Sequence, residues 1–181
     1  MKKLIILVGP SGSGKSSIER RLVNELNLYK CISHTTRDMR GNEKDGIDYH
    51  FVTEQEFKIL EQKGNFLETA FFSGNHYGLV KSEVKDSGSV VVVEPNGLKQ
   101  IQDIKNIDIF SIYINVSVAE AARRMNARGD SIEDLKKRID NDNIRELVRD
   151  VNFDLTVFSD GKSEDEVYQI ILSNVNKFLK V

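Results

Sequence analysis

The sequence has little of several features that define other protein classes. Its 181 residues include one cysteine and two prolines. A single cysteine excludes an internal disulfide framework and a cysteine-cluster metal site, so Cys31 is expected to be a small buried side chain. The 26 basic and 28 acidic residues give a formal net charge of −2. We therefore expect no nucleic-acid partner and no electrostatic attraction to a membrane surface.

Long apolar runs and metal-like histidine clusters are also missing. No stretch approaches the roughly 20 apolar residues that span a bilayer. The first residues, MKKLIILV, lead into a glycine-rich loop and are not typical of a cleavable signal sequence. The three histidines, His34, His50 and His76, lack the spacing of metal ligands. The length and these absences predict a single compact, cytoplasmic domain with no membrane partner.

The most informative stretch is LIILVGPSGSGKSS, residues 4–17, where an apolar run ends and a G-x-x-x-x-G-K-S pattern begins. The glycines let backbone N–H groups turn inward and form an anion nest. Lys15 offers a positive charge to the β- and γ-phosphates of a nucleotide, and the Ser16 hydroxyl suits Mg²⁺. Apolar periodicity on both sides predicts the strand and helix that this P-loop motif requires. The predicted ATP-binding residues here are Gly9, Ser11, Gly12, Ser13, Gly14, Lys15, Ser16 and Ser17, with Ser16 also as the metal ligand.

The rest of the chain alternates predicted strands and helices. Apolar runs at residues 89–93, 109–114 and 155–158 predict strands, and the helices between them favour a parallel sheet. An alternating pattern predicts one more strand at residues 47–52. Three capping boxes predict helix starts: Thr53 with Glu56, Ser117 with Glu120, and Ser163 with Glu166. The sequence therefore predicts an α/β fold.

Charged residues outside the P-loop have two interpretations each. Arg37 and Arg40 are spaced to converge on one phosphate, but they also fit a solvated basic loop. Glu68 lies in the apolar segment FLETAFF, where it either faces water or accepts hydrogen bonds from a ligand. Glu94 follows a buried strand at the edge where ligands bind, or it belongs to a Pro-Asn-Gly turn.

Basic residues are frequent between residues 118 and 149. They fit a helical hairpin stabilised by ion pairs, or a mobile lid over a nucleotide. In the second interpretation, Arg124, Arg128 and Arg138 contact nucleotide phosphates.

Together these motifs resemble the guanylate kinase family over nearly the whole chain. The segments that carry the resemblance, in the family's order and at about its spacing, are GPSGSGKSS, SHTTRDMR, GIDYHFV, GNFLETA, SGNHYG and RRMNARGD. The resemblance implies a P-loop NTPase-type parallel sheet flanked by helices, with an inserted small mixed β lobe and a helical lid. It implies one domain over residues 1–181. The core would comprise residues 1–32, 83–117 and 150–181, the acceptor nucleotide lobe residues 33–82, and the lid residues 118–149.

The resemblance also implies an activity, the ATP-dependent phosphorylation of GMP or dGMP by direct in-line transfer, with Mg²⁺ accompanying ATP. Lys15, Arg124 and Arg138 would stabilise the transferring phosphoryl group, and Arg128 would lie near the donor. The acceptor-binding residues would be Ser33, Arg37, Arg40, Tyr49, Glu68 and Tyr77, and we place Glu94 at the same site because it follows a strand. The oligomeric state is not indicated.

The chain departs from the family pattern in four places. Leu79 replaces a usual hydroxyl residue, and Val92-Val93-Glu94 stands where the family usually has D-I-D. A usual alanine and glutamate are replaced near Asp142 and Arg145, and Ser159 replaces a usual asparagine. Two other functions therefore stay open: a related kinase with a changed base or a small phosphorylated acceptor, and a non-catalytic protein-binding module. Such modules tend to have lost the phosphate-gripping loop, so the intact Lys15 and Ser16 disfavour the second.

Overall fold

The structure is a computed structural model that describes residues 1–41, 43–72, 74–102, 104–127, 129 and 144–180. The strands are β1 (Lys2–Val8), β2 (Tyr29–Lys30), β3 (His34–Thr35), β4 (His50–Phe51), β5 (Phe66–Phe72), β6 (Asn75–Val80), β7 (Ser89–Val92), β8 (Ile107–Asn115) and β9 (Leu155–Phe158). The helices are α1 (Lys15–Leu26), α2 (Glu54–Gln62), α3 (Pro95–Ile101), α4 (Val118–Ala127), α5 (Ile144–Leu147) and α6 (Glu164–Leu179), with one 3₁₀ turn at Lys81–Glu83. None of the described helices is both long enough and apolar enough to cross a bilayer.

Five strands form a parallel sheet in the order β2-β7-β1-β8-β9. The central strand β1 is buried on both faces from Leu4 to Val8. Its side chains divide between two apolar clusters, one with Leu4 and Ile6 and the other with Ile5 and Leu7. Helices must cover both faces of such a sheet, which explains why β1 is a continuous apolar run.

A second, four-stranded sheet has the order β4-β3-β6-β5. β3 and β4 are parallel, whereas β6 is antiparallel to both β3 and β5. A bulge shifts the register of the edge strand β5 between Phe66 and Glu68. Because of it, the consecutive residues Leu67 and Glu68 are both buried, each 7% exposed. The parallel sheet with its helices and the separate mixed sheet confirm the predicted fold class.

The helix starts agree with the sequence in two of three cases. Complete capping boxes begin α2 at Thr53 and α6 at Ser163. At α4 only half of the predicted box forms, since the Ser117 hydroxyl accepts from the Glu120 N–H at 3.2 Å. The Glu120 carboxylate instead binds Arg123 and Arg124. The Ser117 N–H, from which Glu120 would accept in a complete box, donates instead to Asp160 Oδ1 at 2.9 Å. Charge-assisted hydrogen bonds to the two guanidinium groups hold the Glu120 carboxylate away from it.

Two further boundaries differ from the predictions. The strand predicted at residues 47–52 is limited to β4, because a turn occupies the residues before it. In that turn Gly46 has φ +71° and donates to the Tyr49 carbonyl at 2.9 Å. Residues 95–97, which one interpretation of the sequence placed in a Pro-Asn-Gly turn, form the first turn of α3, a position that proline readily occupies. Most of the predicted helical hairpin between α4 and α5 lies outside the described residues.

Candidate active site

The P-loop and Glu94, both predicted to be functional, lie at one edge of the parallel sheet. All five strands run in the same direction, so their carboxyl ends meet at this edge. The P-loop follows β1, Glu94 comes two residues after β7, and Ser159 directly follows β9. Ligands of open α/β sheets bind at this edge. The topology therefore brings together residues that are far apart in sequence.

The P-loop uses its glycines for two different reasons. Gly12 and Gly14 have φ angles of +76° and +94°, a backbone conformation that favours glycine. Gly9 is needed because the chain passes close to β8, where a Cβ on it would lie 2.7 Å from the Ile114 carbonyl oxygen. The result is a tight loop packed against the sheet, followed directly by α1.

The P-loop lysine is turned back onto its own loop. The Lys15 Nζ donates to the carbonyl oxygens of Gly9 and Pro10, the latter at 2.8 Å. The Ser16 side chain is exposed at the start of α1, and the Ser17 hydroxyl donates to Glu164 at the start of α6. The lysine charge and the Ser16 hydroxyl thus lie where a polyphosphate on this loop would meet them.

A cavity of about 700 Å³ opens beside the P-loop. Its volume lies in the range of small-molecule sites, roughly 300–1,000 Å³. Its charged lining is mainly basic, with Glu164 as an acid at the rim. The lining residues are Ser11, Gly12, Ser13, Gly14, Lys15, Ser16, Ser17, Ile18, Arg20, Arg123, Arg124, Ala127, Lys162, Ser163, Glu164 and Val167. The shape and charge of the cavity suit a polyphosphate nucleotide.

Arg124 projects into this cavity in a fixed orientation. Its Nε donates to Glu120 at 2.7 Å, and its Nη2 donates to the Ser159 carbonyl oxygen at 2.9 Å. Hydrogen bonds from Arg123 and then Arg124 lower the pKa of Glu120 to about 2. Sequence reasoning assigned Glu120 only to a helix cap, although its spacing of four residues before Arg124 is a signal for this ion pair. The other two predicted lid arginines, Arg128 and Arg138, lie outside the described residues.

The second sheet brings several predicted acceptor residues together. The Arg37 guanidinium makes two hydrogen bonds to Glu43, at 3.0 and 2.7 Å. It lies 5.5 Å from the ring centre of Tyr49, which in turn lies 6.0 Å from the ring of Tyr77. The Glu43 hydrogen bonds are the main reason that the pKa of Arg37 is raised. Arg37, Tyr49 and Tyr77 thus surround one place, as their assignment to one ligand requires.

Glu43 also orders the neighbouring arginine, a function that sequence reasoning missed. Its carboxylate accepts from the Arg40 backbone N–H at 2.8 Å, while the Arg40 side chain is exposed. The signal that would have found it is an acid between two basic residues in a loop otherwise suited to anions. Ser33, directly before β3, is half-buried, and its carbonyl oxygen accepts from the His50 N–H at 2.9 Å.

Glu68 is a buried carboxyl group at the junction of the two sheets. Burial raises its pKa to about 7, the charge of Glu94 adds to the increase, and a hydrogen bond from the Leu79 backbone opposes it. Glu94 itself is exposed and precedes the first turn of α3. One turn of this helix lies against the Glu68 carboxylate, because a Cβ on Gly97 would lie 2.8 Å from Oε2. Glu68 and Glu94 are thus near one another, as the sequence hypothesis for one acceptor site requires.

Protein side chains offer little for a metal ion by themselves. Within the described parts of the chain, no group of three or more histidine, cysteine or acidic residues is placed to hold one. The Ser16 hydroxyl at the phosphate-binding loop fits an ion that arrives with a nucleotide, since Mg²⁺ commonly takes one or two protein ligands and completes its shell with phosphates and water.

Comparison with known proteins agrees with this architecture. The family model described as guanylate kinase matches residues 1–177. A guanylate kinase of Malacoplasma penetrans is 36% identical over 185 residues, covering 96% of this chain and 94% of that protein. One from Mycoplasmopsis synoviae is 32% identical and covers 94% of each. The crystal structure of guanylate kinase from Anaplasma phagocytophilum shares the fold, with a TM-score of 0.68 at 23% identity over 97% of this chain and 85% of that one. The chain belongs to the guanylate kinase family.

Proposed function

We propose that this protein transfers the γ-phosphoryl group of ATP to GMP or dGMP and releases ADP and GDP or dGDP. One combination carries the proposal: an intact P-loop opening into a basic cavity, and a buried carboxylate, Glu68, in a second sheet whose loop after β3 carries Arg37 and Arg40. Family membership supports the same activity. A polyphosphate site and a base-reading carboxylate are what a nucleoside monophosphate kinase needs.

The donor nucleotide occupies the cavity at the P-loop. Lys15 leaves the Gly9 and Pro10 carbonyl oxygens for the phosphates, which carry more charge. Arg124 is already held toward the cavity by Glu120 and Ser159. Mg²⁺ bound with ATP neutralises phosphate charge, and Ser16 is its protein ligand in this proposal. Arg128 and Arg138 complete the donor site by family resemblance.

The acceptor monophosphate binds to Arg37, Arg40 and Tyr49. Glu43 fixes one edge of the Arg37 guanidinium through hydrogen bonds to Nη1 and Nη2. A guanidinium has five N–H donors, so others are left for the phosphate. Arg40 is exposed and reaches the same phosphate from the loop. Ser33 and Tyr77 contribute to the pocket around the nucleoside.

Glu68 reads the base in this proposal. Guanine presents two adjacent donors, its N1–H and its 2-amino group, and an ionised carboxylate accepts from both. Adenine presents an acceptor at N1, so only the protonated form of Glu68 could donate to it, whereas the ionised form would face N1 as an unpaired buried charge. Leu79 is fully buried in an apolar cluster. The hydroxyl that the family usually has there supplies one neutral hydrogen bond, worth about 0.5–1.5 kcal/mol, so guanine remains the preferred base.

The transfer needs no covalent enzyme intermediate. An oxygen of the acceptor monophosphate attacks the γ-phosphorus in line as the bond to the β,γ-bridging oxygen breaks. Charge on the transferring group and on the leaving ADP is stabilised by Lys15 and Arg124, with Arg138 as the third predicted cation. The enzyme accelerates the reaction by holding both phosphates in line. Both nucleotides are soluble metabolites, so the proposed place of action is the cytoplasm.

A substrate panel tests the proposal. With ATP and Mg²⁺, kcat/KM is measured for GMP, dGMP, AMP, dAMP, UMP and dTMP. GMP or dGMP should be the best acceptor, with weak turnover of other purine nucleotides. An adenine or pyrimidine nucleotide as the best acceptor would contradict the role of Glu68. No ATP consumption with any monophosphate would favour the protein-binding module instead.

A further inference from the structure

We propose that Gln100 is a positioning residue for base recognition. Its side-chain amide fixes strand β5 to helix α3 beside Glu68, and this determines where the Glu68 carboxylate lies. The inference rests on the proposed function, in which that carboxylate reads guanine.

The Gln100 amide makes a two-point contact with the backbone of Thr69, the residue after Glu68. Its Oε1 accepts from the Thr69 N–H at 3.0 Å, and its Nε2 donates to the Thr69 carbonyl oxygen at 2.8 Å. A further hydrogen bond of 3.2 Å runs from Nε2 to the Asn96 carbonyl oxygen within α3. The three bonds fix both ends of the amide.

This contact takes the place of a neighbouring strand. In an antiparallel pair, every second residue directs its N–H and C=O away from its partner strand. Among the residues that the structure describes, β5 is the edge strand of its sheet, so none of their strands lies on the outer side of Thr69. The Gln100 amide, which has one donor and one acceptor side by side, satisfies both outward groups of Thr69.

The bulge in β5 explains why this support matters. The register of β5 against β6 shifts between Phe66 and Glu68, so the ladder is irregular immediately before Glu68. A bulge bends its strand and redirects a side chain, and the bent segment needs other contacts to hold its direction. Thr69 lies just after the bulge, and Gln100 ties it to α3, whose Leu98 and Ile101 are buried in the core.

The same helix acts on both the backbone and the side chain of the recognition residue. Gly97 lies against the Glu68 carboxylate, and Gln100, three positions later on α3, binds the next peptide group along β5. Helix residues three apart lie on the same face. Movement of β5 away from α3 would therefore shift Glu68 relative to a base placed against it.

The effect should be on base selection and not on phosphate binding. A hydrogen bond weakens steeply as its angle departs from linearity, so the pairing of Glu68 with the guanine 2-amino group depends on where β5 lies. Arg37 and Arg40 lie in the loop after β3, away from β5 and α3. In the proposed function they hold the acceptor phosphate whatever the position of Glu68. IMP, whose base lacks the 2-amino group, reports on this pairing when it is compared with GMP.

The experiment compares Q100L with a control, Q102L, which changes an exposed glutamine at the end of the same helix. The measured quantity is the ratio of kcat/KM for GMP to kcat/KM for IMP, together with the KM for ATP. Q100L should lower the ratio by about tenfold, the scale of losing well-placed hydrogen bonds, with the KM for ATP unchanged. Q102L should leave both unchanged. Partial unfolding cannot produce this result, because a smaller active fraction lowers both kcat values equally.

The variant E68Q and the double variant separate this inference from the proposed function. The single variant E68Q should lower the ratio of kcat/KM for GMP to kcat/KM for IMP. Adding Q100L to E68Q should lower this ratio no further, because Gln100 acts through Glu68. A normal ratio in E68Q would contradict the proposed function. A reduced ratio in E68Q with an unchanged ratio in Q100L would overturn only the role of Gln100. So would a further loss in the double variant.

Discussion

Gly97 lies so close to Glu68 that a Cβ placed on it would be 2.8 Å from the Oε2 atom of the carboxylate. Because that atom ends a flexible side chain, G97A should displace the carboxylate and leave the helix in place. We expect kcat/KM for GMP to fall by about tenfold, while the thermal midpoint changes little. Steady-state kinetics and a thermal melt measure both, with K99A on the exposed face of α3 as the control. An unchanged kcat/KM would show that the contact between Gly97 and the Glu68 carboxylate does not affect acceptor binding.

Lys15 is predicted to be essential for transfer and dispensable for folding. Its ammonium donates to the loop carbonyl oxygens of Gly9 and Pro10 and to the Ser13 hydroxyl, and Lys15 is not a member of the apolar core clusters. K15A should lower kcat by about a hundredfold or more, since it removes a charge that stabilises the transferring group. The thermal midpoint of the nucleotide-free protein should stay near that of the parent. Full activity in a folded K15A protein would rule out the mechanism.

Arg37 and its partner Glu43 should affect the acceptor and not the donor. R37A and R40A should raise the KM for GMP and leave the KM for ATP unchanged, because these arginines belong to the second sheet and its loops. E43Q should have the same effect in weaker form, since it removes the charge that fixes the Arg37 guanidinium at 2.7 Å but keeps a hydrogen-bonding group. A rise in the KM for ATP alone would show that this lobe does not hold the acceptor.

Glu19 should make the protein less stable as the pH rises. Desolvation raises its pKa from the ordinary 4.5 to about 7, and Lys30, 4.0 Å away, only partly offsets this. The folded state then binds the proton more tightly than the unfolded state, so the stabilisation is complete below 4.5 and is lost as the pH rises to about 7.

E19Q removes this loss because its amide stays neutral. At about pH 8 it should be more stable than the parent by about 3 kcal/mol, and near pH 4 the two should be equal. Urea unfolding at both values measures this, with E61Q on the exposed face of α2 as the control. Parallel stability profiles for E19Q and the parent would contradict the prediction. The free energy of unfolding of E19Q should still fall as the pH rises, but less than that of the parent, because Glu68 also has a raised pKa of about 7.

Two P-loop glycines allow the cost of a positive φ angle to be separated from the cost of a steric clash of an added Cβ. Gly12 and Gly14 both have positive φ angles, but only a Cβ on Gly12 would meet a backbone atom, the Ala121 carbonyl oxygen at 2.8 Å. G12A should therefore lower the free energy of unfolding of the nucleotide-free protein by about 1–2 kcal/mol more than G14A does. Equal losses in denaturant unfolding would show that α4 moves away at no cost.

The sequence was sufficient for several structures that depend on near neighbours. The P-loop, the buried strand before it and the capping boxes at Thr53 and Ser163 follow from patterns within a few residues, and the structure has them. Local patterns failed where a stronger partner competed. Glu120 pairs with Arg124 and not with the backbone of its own cap. Residues 46–48 form a turn, so the strand that alternation predicted over residues 47–52 is limited to His50 and Phe51.

The environment of Glu68 shows what only the tertiary structure decided. The sequence left open whether this acid faces water or a ligand, because the segment FLETAFF supports both. The bulge in β5, the close approach of Gly97 and the link from Gln100 to Thr69, 31 residues apart, decide that it is buried. The sequence thus supplies the chemical groups of the site. Their burial and direction come from contacts between segments that meet only when the sheets and α3 pack together, so no local pattern contains them.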